Sequence, residues 1–248
     1  MNLEGPIAVG NTAEIYLCEG MVVKVFKDHL PDTESVYEAK KQEFVYSKGL
    51  PVPRVIDVLK VHGKQAIVME HINGKTIGEL VSENRQQTEH YMDLSIDVQQ
   101  QIHSVTADSF EPMAVKLRSK IKQAVIEEKY KTSLVRKLES MPNNNSLCHG
   151  DFHFFNLIVT DNDEVKIIDW VDASAGDSCA DICRTYLLYS QLSTELAEMY
   201  MRVYLSKSDF SRDEILQWEP ILAGARLAEN IEKAEAERLL GIIKDACS

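Results

Sequence analysis

The chain is 248 residues long and carries 27 Lys and Arg against 39 Asp and Glu, a formal charge of −12 that disfavours a general nucleic-acid binder. Hydrophobic residues make up 44% and charged residues 27%, the proportions of a folded globular chain, which excludes disorder and low-complexity fibres. The longest apolar runs, such as residues 66–69, fall far short of the ~18–20 residues needed to span a bilayer, so no transmembrane helix and no membrane partner are expected. Met1-Asn2-Leu3-Glu4 lacks a basic patch followed by an apolar core, so nothing marks the start for secretion. The five cysteines are scattered, odd in number and without a CxxC pair, which fits reduced thiols in a cytoplasm.

Residues 6–9, 13–18 and 21–26 are rich in β-branched and aromatic side chains and are separated by Gly10-Asn11 and Glu19-Gly20, the pattern of an antiparallel meander. Residues 32–47 contain no Gly or Pro and begin at the capping candidates Asp32 and Thr33, so a helix is predicted there. Gly49 ends it, and Pro51 and Pro53 prevent its resumption. Two more strands are expected at 55–61 and 65–70, and Asn73-Gly74 then breaks the chain. A domain boundary is placed there, giving an N-terminal domain over 1–72 and a second over 73–248. Residues 1–72 hold 8 Lys and Arg against 10 Asp and Glu, which leaves 19 against 29 for the rest, so the acidic excess lies almost wholly in the second part. That part reads as mostly helical, with helices at 77–82, 87–104, 113–128, 131–141, 177–190, 194–205 and 212–246, the last interrupted near Pro220. Short β-prone runs at 146–149, 157–160 and 165–169 sit among the helices, with Asp161-Asn162 as a hairpin turn. The fold class is therefore α+β, a small antiparallel sheet with one helix followed by a mainly helical domain.

Cys148-His149-Gly150-Asp151-Phe152-His153-Phe154-Phe155-Asn156 is the densest polar cluster, and Ile167-Ile168-Asp169-Trp170 follows it on the next hairpin arm. Asp151 precedes Asn156 by five residues, the separation of the catalytic Asp and metal-binding Asn in the protein-kinase catalytic loop, and Asp169 falls where a second metal-binding Asp belongs. Phosphoryl transfer needs a carboxylate near the attacking hydroxyl, oxygen ligands for magnesium and a cation on the phosphates. Lys24, in the apolar strand Val22-Val23-Lys24-Val25-Phe26, supplies the cation, and a lysine buried there needs a partner. Glu38 in the following helix is the first candidate and Glu43 the rival. Between the first two strands, the Gly10-Asn11-Thr12-Ala13 turn offers backbone amides and the Thr12 hydroxyl to a phosphate.

Taken together, these residues make the chain resemble the aminoglycoside phosphotransferase and choline kinase superfamily, small-molecule kinases with a bilobal protein-kinase-like fold. His149 to Asn156 matches the family's HGDxHxxN loop, Ile168-Asp169-Trp170 its IDW, and Gly49-Leu50-Pro51-Val52-Pro53 its GxPVP segment, so the likeness covers nearly the whole chain. The resemblance implies ATP and Mg2+ as cofactors, Asp151 as catalytic base, and Asn156 and Asp169 as metal ligands. It also implies Lys24 with Glu38 on the α and β phosphates, the backbone of Glu70 and Ile72 on adenine, and Asp181 as a brace for the catalytic loop. Two features depart from the family pattern: the nucleotide loop has the single glycine Gly10, and Phe154-Phe155 stands where Pro and a small or polar residue are usual, which is expected to narrow the acceptor site.

Other readings compete at each position. His149, Asp151 and His153 alternate along the chain and would share one side of an extended strand, as a metal-dependent hydrolase would require, but that reading leaves Lys24 and Asp169 unexplained. His103 reads as a core histidine, Cys179 and Cys183 as buried small residues, and the charge run 229–238 as an exposed helix face. The expected activity is ATP-dependent transfer of phosphate to a hydroxyl of a small molecule. The acidic second part, with Glu229, Glu232, Glu235 and Glu237 near its end, points to a cationic acceptor such as an amino sugar or a choline-like amine. The alternative is a catalytically idle nucleotide-binding regulator of the same fold. No protein partner is evident.

Overall fold

A computed structural model describes residues 3–247. In chain order the strands are β1 (Ala8–Val9), β2 (Ala13–Cys18), β3 (Met21–Phe26), β4 (Val55–Val61), β5 (Lys64–Glu70), β6 (Gly74–Thr76), β7 (Ser146–Cys148), β8 (Leu157–Thr160), β9 (Val165–Ile167) and β10 (Ser174–Gly176). The helices are α1 (Glu34–Ser47), α2 (Ile77–Glu83), α3 (Thr88–His103), α4 (Met113–Gln123), α5 (Glu128–Glu139), α6 (Ser178–Leu192), α7 (Thr194–Ser206), α8 (Arg212–Leu216), α9 (Glu219–Arg226) and α10 (Lys233–Ala246). They form two compact units. The first runs to Asn84 and takes in Phe154–Val171; the second comprises Arg85–His153 and the chain from Asp172. This division departs from the expected single boundary after residue 72, because β6 pairs with β8 and β8 with β9, tying residues 74–76 and 157–167 into the first unit. A three-residue strand such as β6 has no periodicity to read, and its partner lies more than eighty residues away in sequence.

In the first unit, β1 to β5 form one antiparallel sheet in the order β1-β2-β3-β5-β4. Two of its hairpins close on two-residue turns with positive φ at both central positions, Glu19-Gly20 and His62-Gly63, as twisted strand pairs require. Strand periodicity assigns the faces. Val23 and Val25 pack with Val61, Ala66 and Val68 on one side, while Phe26, Ile67 and Met69 pack with Ala39 of α1 on the other. Lys24 alternates with Val23 and Val25 and so lies on the α1 face. Thr76 starts α2 with a reciprocal capping box to Glu79.

The second unit is helical, with β7 and β10 as its one sheet among the described residues. Cys179, Ile182, Cys183 and Leu187 of α6 and Tyr200 and Tyr204 of α7 are buried, as is most of α9. Three expectations are corrected here. The predicted helix over 113–128 ends at Gln123, and the next begins at Glu128 rather than 131. The predicted helix over 212–246 is three helices: the break expected near Pro220 falls at 217–218, with Pro220 itself in the first turn of α9, where its missing N–H costs nothing, and a second, unexpected break lies at 227–232. The charge run 229–238 is not simply an exposed face, since Glu235 is buried. No helix among the described residues is long and apolar enough to cross a membrane.

Candidate active site

Lys24 is the centre of the first unit's polar cluster. Its ammonium donates to Glu38 Oε1 at 2.6 Å and to Asp169 Oδ1 at 3.0 Å. Lys24 is 6% exposed and Glu38 1%, so these groups have given up most of their hydration, and the contacts between them must replace it. Burial favours the neutral amine, but Asp169 and Glu38 together more than offset it and hold the Lys24 pKa above its ordinary value. Glu38 is therefore the partner that sequence left open against Glu43. It lies on the buried polar stripe of α1 with Ser35 and Gln42, whereas Glu43 is exposed.

Asn156 ends the 3-10 turn Phe154–Asn156 and is buried; its carbonyl oxygen accepts the Ile168 N–H at 3.0 Å. With Leu157 opposite Ile167, that bond sets Asn156 across from Ile168 and hence beside Asp169. Asp169 adopts φ 63°, a left-handed conformation that Asp tolerates better than most residues. Its side chain stays 40% exposed, so one carboxylate carries a buried cation and still reaches solvent. Neutral amide oxygen and carboxylate are the donors that a hard divalent cation takes, so Asn156 and Asp169 fit Mg2+. The remaining first-unit candidates lie at the sheet's edge and its end. Gly10 and Ala13 close the turn with the Gly10 N–H on Ala13 O at 2.9 Å, so that amide serves the turn itself; Thr12 is half-buried, and its carbonyl accepts the Lys27 N–H at 2.9 Å. Glu70 is exposed at the end of β5 with its N–H on Arg54 O at 3.0 Å, and Ile72 follows half-buried. Of the two aromatics expected to narrow an acceptor site, Phe154 is buried and Phe155 lies on α2 at Gly78, where a Cβ would come within 2.5–2.7 Å of its ring.

Asp151 belongs to the second unit. His153 Nε2 is 3.3 Å from its Oδ2, and Arg184 Nη2 is 3.9 Å from its Oδ1. Burial raises its pKa, but the bond and charge of His153 and the charge of Arg184 outweigh that, and the group titrates below its ordinary value. The loop around it is fixed from behind by Asp181, whose carboxylate accepts the Gly150 N–H at 2.8 Å and the His149 N–H at 3.3 Å and meets His103 Nε2 at 2.9 Å. Gly150 has φ 81°, and a Cβ there would meet Asp172 O at 2.6 Å, so the turn demands glycine twice over. His149 is buried, edge-on to Phe152, and its Nδ1 accepts the Asp151 N–H at 3.3 Å. The hydrolase alternative is not assembled: among the described residues the grouping with metal-ligand spacing is His103, Cys148 and Asp181, and not His149, Asp151 and His153.

Sequence reasoning missed Arg184, Lys116, Lys120 and Asp172. Arg184 Nε donates to Gly150 O at 3.1 Å and Nη2 to Glu229 at 3.0 Å, while Lys116 donates to Asp172 Oδ1 and O, both at 2.6 Å. Nothing in their local sequence distinguishes these residues from surface charges.

Comparison with known proteins bears on the fold and the family. No curated protein sequence matches significantly. Solved structures with the same fold include an apo thermostable mutant of aminoglycoside phosphotransferase APH(4)-Ia, at 17% identity and TM-score 0.69, covering 100% of this chain and 94% of that one. Choline kinase LicA from Streptococcus pneumoniae also has 17% identity and TM-score 0.69, with 99% and 94% covered. A choline/ethanolamine kinase family protein from Mesorhizobium loti has 15% identity and TM-score 0.65, with 99% and 87% covered. Residues 5–218 match the phosphotransferase enzyme family (APH), and the chain, with a kinase-like fold and most of its length inside that match, belongs to this family.

Proposed function

We propose that the chain is an ATP-dependent kinase that transfers the γ-phosphate of ATP to a hydroxyl of a small molecule. The observation that carries this reading is the buried ammonium of Lys24 held between Glu38 and the half-exposed Asp169. Such a trio contributes little to stability compared with apolar packing of the same volume, so its value lies in presenting a fixed charge. Lys24 orients the α and β phosphates, and Glu38 fixes Lys24. The Gly10–Ala13 turn and Thr12 cover the phosphates, and the backbone of Glu70 and Ile72 receives adenine. Asn156 and Asp169 would hold Mg2+, which when bound offsets negative charge on the phosphates. Asp151, ionised at neutral pH, accepts the proton of the acceptor hydroxyl as its oxygen bonds to the γ-phosphorus and ADP departs. The phosphoryl transition state is loose, so the residues act mainly by placement and electrostatics, and few are needed.

Two complexes of APH(4)-Ia variants, both similar in fold to this chain, contain ADP or AMP-PNP together with hygromycin B, which supports testing nucleotide and aminoglycoside here. The net charge of −12 attracts cations at long range, so amino sugars and choline-like amines belong in the test set. No disulfide joins any of the five cysteines, which suits a reducing cytoplasm. The decisive experiment is ADP release across a broad panel of hydroxyl-bearing metabolites, with Asp151→Ala as control. Turnover that the control loses supports the kinase. Binding of magnesium ATP without ADP release on any member supports the idle regulator, and near-normal turnover by Asp151→Ala removes Asp151 from its role.

A further inference from the structure

Beside Asp151 the second unit has a pocket formed by α4, α6, α9 and the catalytic loop, with a free interior of about 40 Å³ inside about 430 Å³ of empty space that opens to solvent. Its polar wall is Lys116, Lys120, Asp172, Arg184 and Glu229, with Gly150 joining it to Asp151. Three cations here share two carboxylates. Asp172 Oδ1 is 2.6 Å from Lys116 and 3.7 Å from Lys120, and Glu229 is 2.8 Å from Lys120 and 3.0 Å from Arg184. Each carboxylate of the wall is thus already held by two cations. Asp181 also lines the pocket, but its oxygens are taken by two backbone N–H groups and His103. Behind Glu229, Arg226 is 3% exposed, bonds Gln191 through Nη2 at 2.7 Å, and has no acceptor for Nε or Nη1. Its nearest carboxylate, Glu235 at 3.5 Å, is gripped by both Nε and Nη2 of Arg238.

We infer that the acceptor carries an anionic group, a carboxylate or a phosphate, which docks on Lys116, Lys120 and Arg184 while its hydroxyl meets Asp151. This rests on the kinase reading. A cationic acceptor would find every wall carboxylate occupied and three like charges facing it. An anion gains charge-assisted hydrogen bonds from donors that have too few acceptors. With Asp181 counted, the lining is formally neutral, three cations against three carboxylates, so an anion would be held by direct contact with the three cations and not by a net positive field, while long-range attraction by the whole chain governs approach. The other carboxylates and cations named above explain the electrostatics of the pocket. Burial and the charge of nearby Arg184 pull the Arg226 guanidinium down to about 10, while against burial its cations hold Glu229 below its ordinary value.

The test has two arms. In the first, ADP release is measured on matched hydroxy acids, sugar phosphates, neutral polyols and amino alcohols. Turnover on hydroxy acids or sugar phosphates is expected, and which of the two is used identifies the anion. For that acceptor, Lys116→Gln and Lys120→Gln raise KM at least tenfold while KM for ATP changes less than twofold, a split that a merely structural salt bridge would not give. A preference for neutral or amino acceptors overturns the inference and leaves the kinase reading intact. In the second arm, inorganic phosphate and malonate are titrated calorimetrically into protein saturated with magnesium AMP-PNP. Binding weakened at least tenfold by Lys116→Gln is expected; no binding, or binding the substitution leaves unchanged, overturns the inference whatever the turnover assay shows. If no acceptor is phosphorylated but this binding is present, the kinase reading fails alone. Circular dichroism of each variant separates loss of binding from loss of fold, and because Lys116 and Lys120 lie partly exposed on one helix, either single variant suffices.

Discussion

Removing the partners of Lys24 one at a time separates what the buried trio does for stability from what it does for chemistry. Glu38→Leu leaves the ammonium, 6% exposed, with Asp169 at 3.0 Å as its remaining carboxylate. One partner of two is retained, so the loss falls at the low end of the range for breaking a buried pair, about 3 kcal/mol. Lys24→Met is worse. It leaves Glu38, 1% exposed and already lacking a partner on Oε2, with no cation and with Asp169 as a like charge nearby, for a loss of about 5 kcal/mol. The double variant Lys24→Met, Glu38→Leu replaces the pair with apolar groups and recovers most of both losses, to within about 1 kcal/mol of the parent. For a chain of this size each kcal/mol corresponds to roughly 2–4 °C in Tm, so the single variants fall by roughly 6–12 and 10–20 °C and the double by only a few. Differential scanning calorimetry and urea unfolding measure this directly, and ADP release should be absent from all three proteins. Losses that simply add in the double variant would falsify the account of the trio. The sign with pH is also fixed. In Lys24→Met the folded state holds the Glu38 proton more tightly than the unfolded state, so protons stabilise it, and its deficit shrinks as pH falls from 8 to 5.

Asp151→Asn should lower kcat by roughly 10²–10⁴-fold while calorimetric binding of magnesium ATP stays within twofold, since the substitution keeps the shape and removes only the base. Because His153 and Arg184 depress the Asp151 pKa, the acid limb of kcat/KM attributable to this group lies below the ordinary aspartate value of about 4; a limb near 6 assigned to Asp151 by its disappearance in the Asn variant would contradict the geometry. Gly74→Ala drives a Cβ into the Val159 carbonyl oxygen across the β6–β8 pair and should cost roughly 1–3 kcal/mol in urea unfolding. An unchanged midpoint would show that the two strands separate easily.

What sequence made legible was what local pattern encodes. The meander, α1, the spacing of Asp151, Asn156 and Asp169, and the lysine between apolar neighbours all lie in short stretches whose chemistry is readable without the rest of the chain. The choice between Glu38 and Glu43 was not legible, because α1 has a buried polar stripe and its weak amphipathicity does not say which side meets the sheet. Lys116, Lys120 and Arg184 were invisible for a different reason. Each looks like a solvated helix charge until α4, α6 and α9 are packed, and the bonds that define them join residues 34 to 109 positions apart. The run 229–238 misled in the same way, since an alternating charge pattern does not reveal that Glu235 faces Arg226.

The first unit's sheet of β6, β8 and β9 has a bearing on how the protein is made. A ribosome delivers the segment ending at Asn84 long before Phe154–Val171, which completes the same unit. At about 5–20 residues per second that interval lasts roughly 4–17 s. Throughout it β6 has an unpaired edge, and Lys24 and Glu38 are present without Asp169. The nascent N-terminal region thus waits for a distant hairpin before it can finish folding, and truncation anywhere upstream of Asp169 leaves a lobe without its second carboxylate.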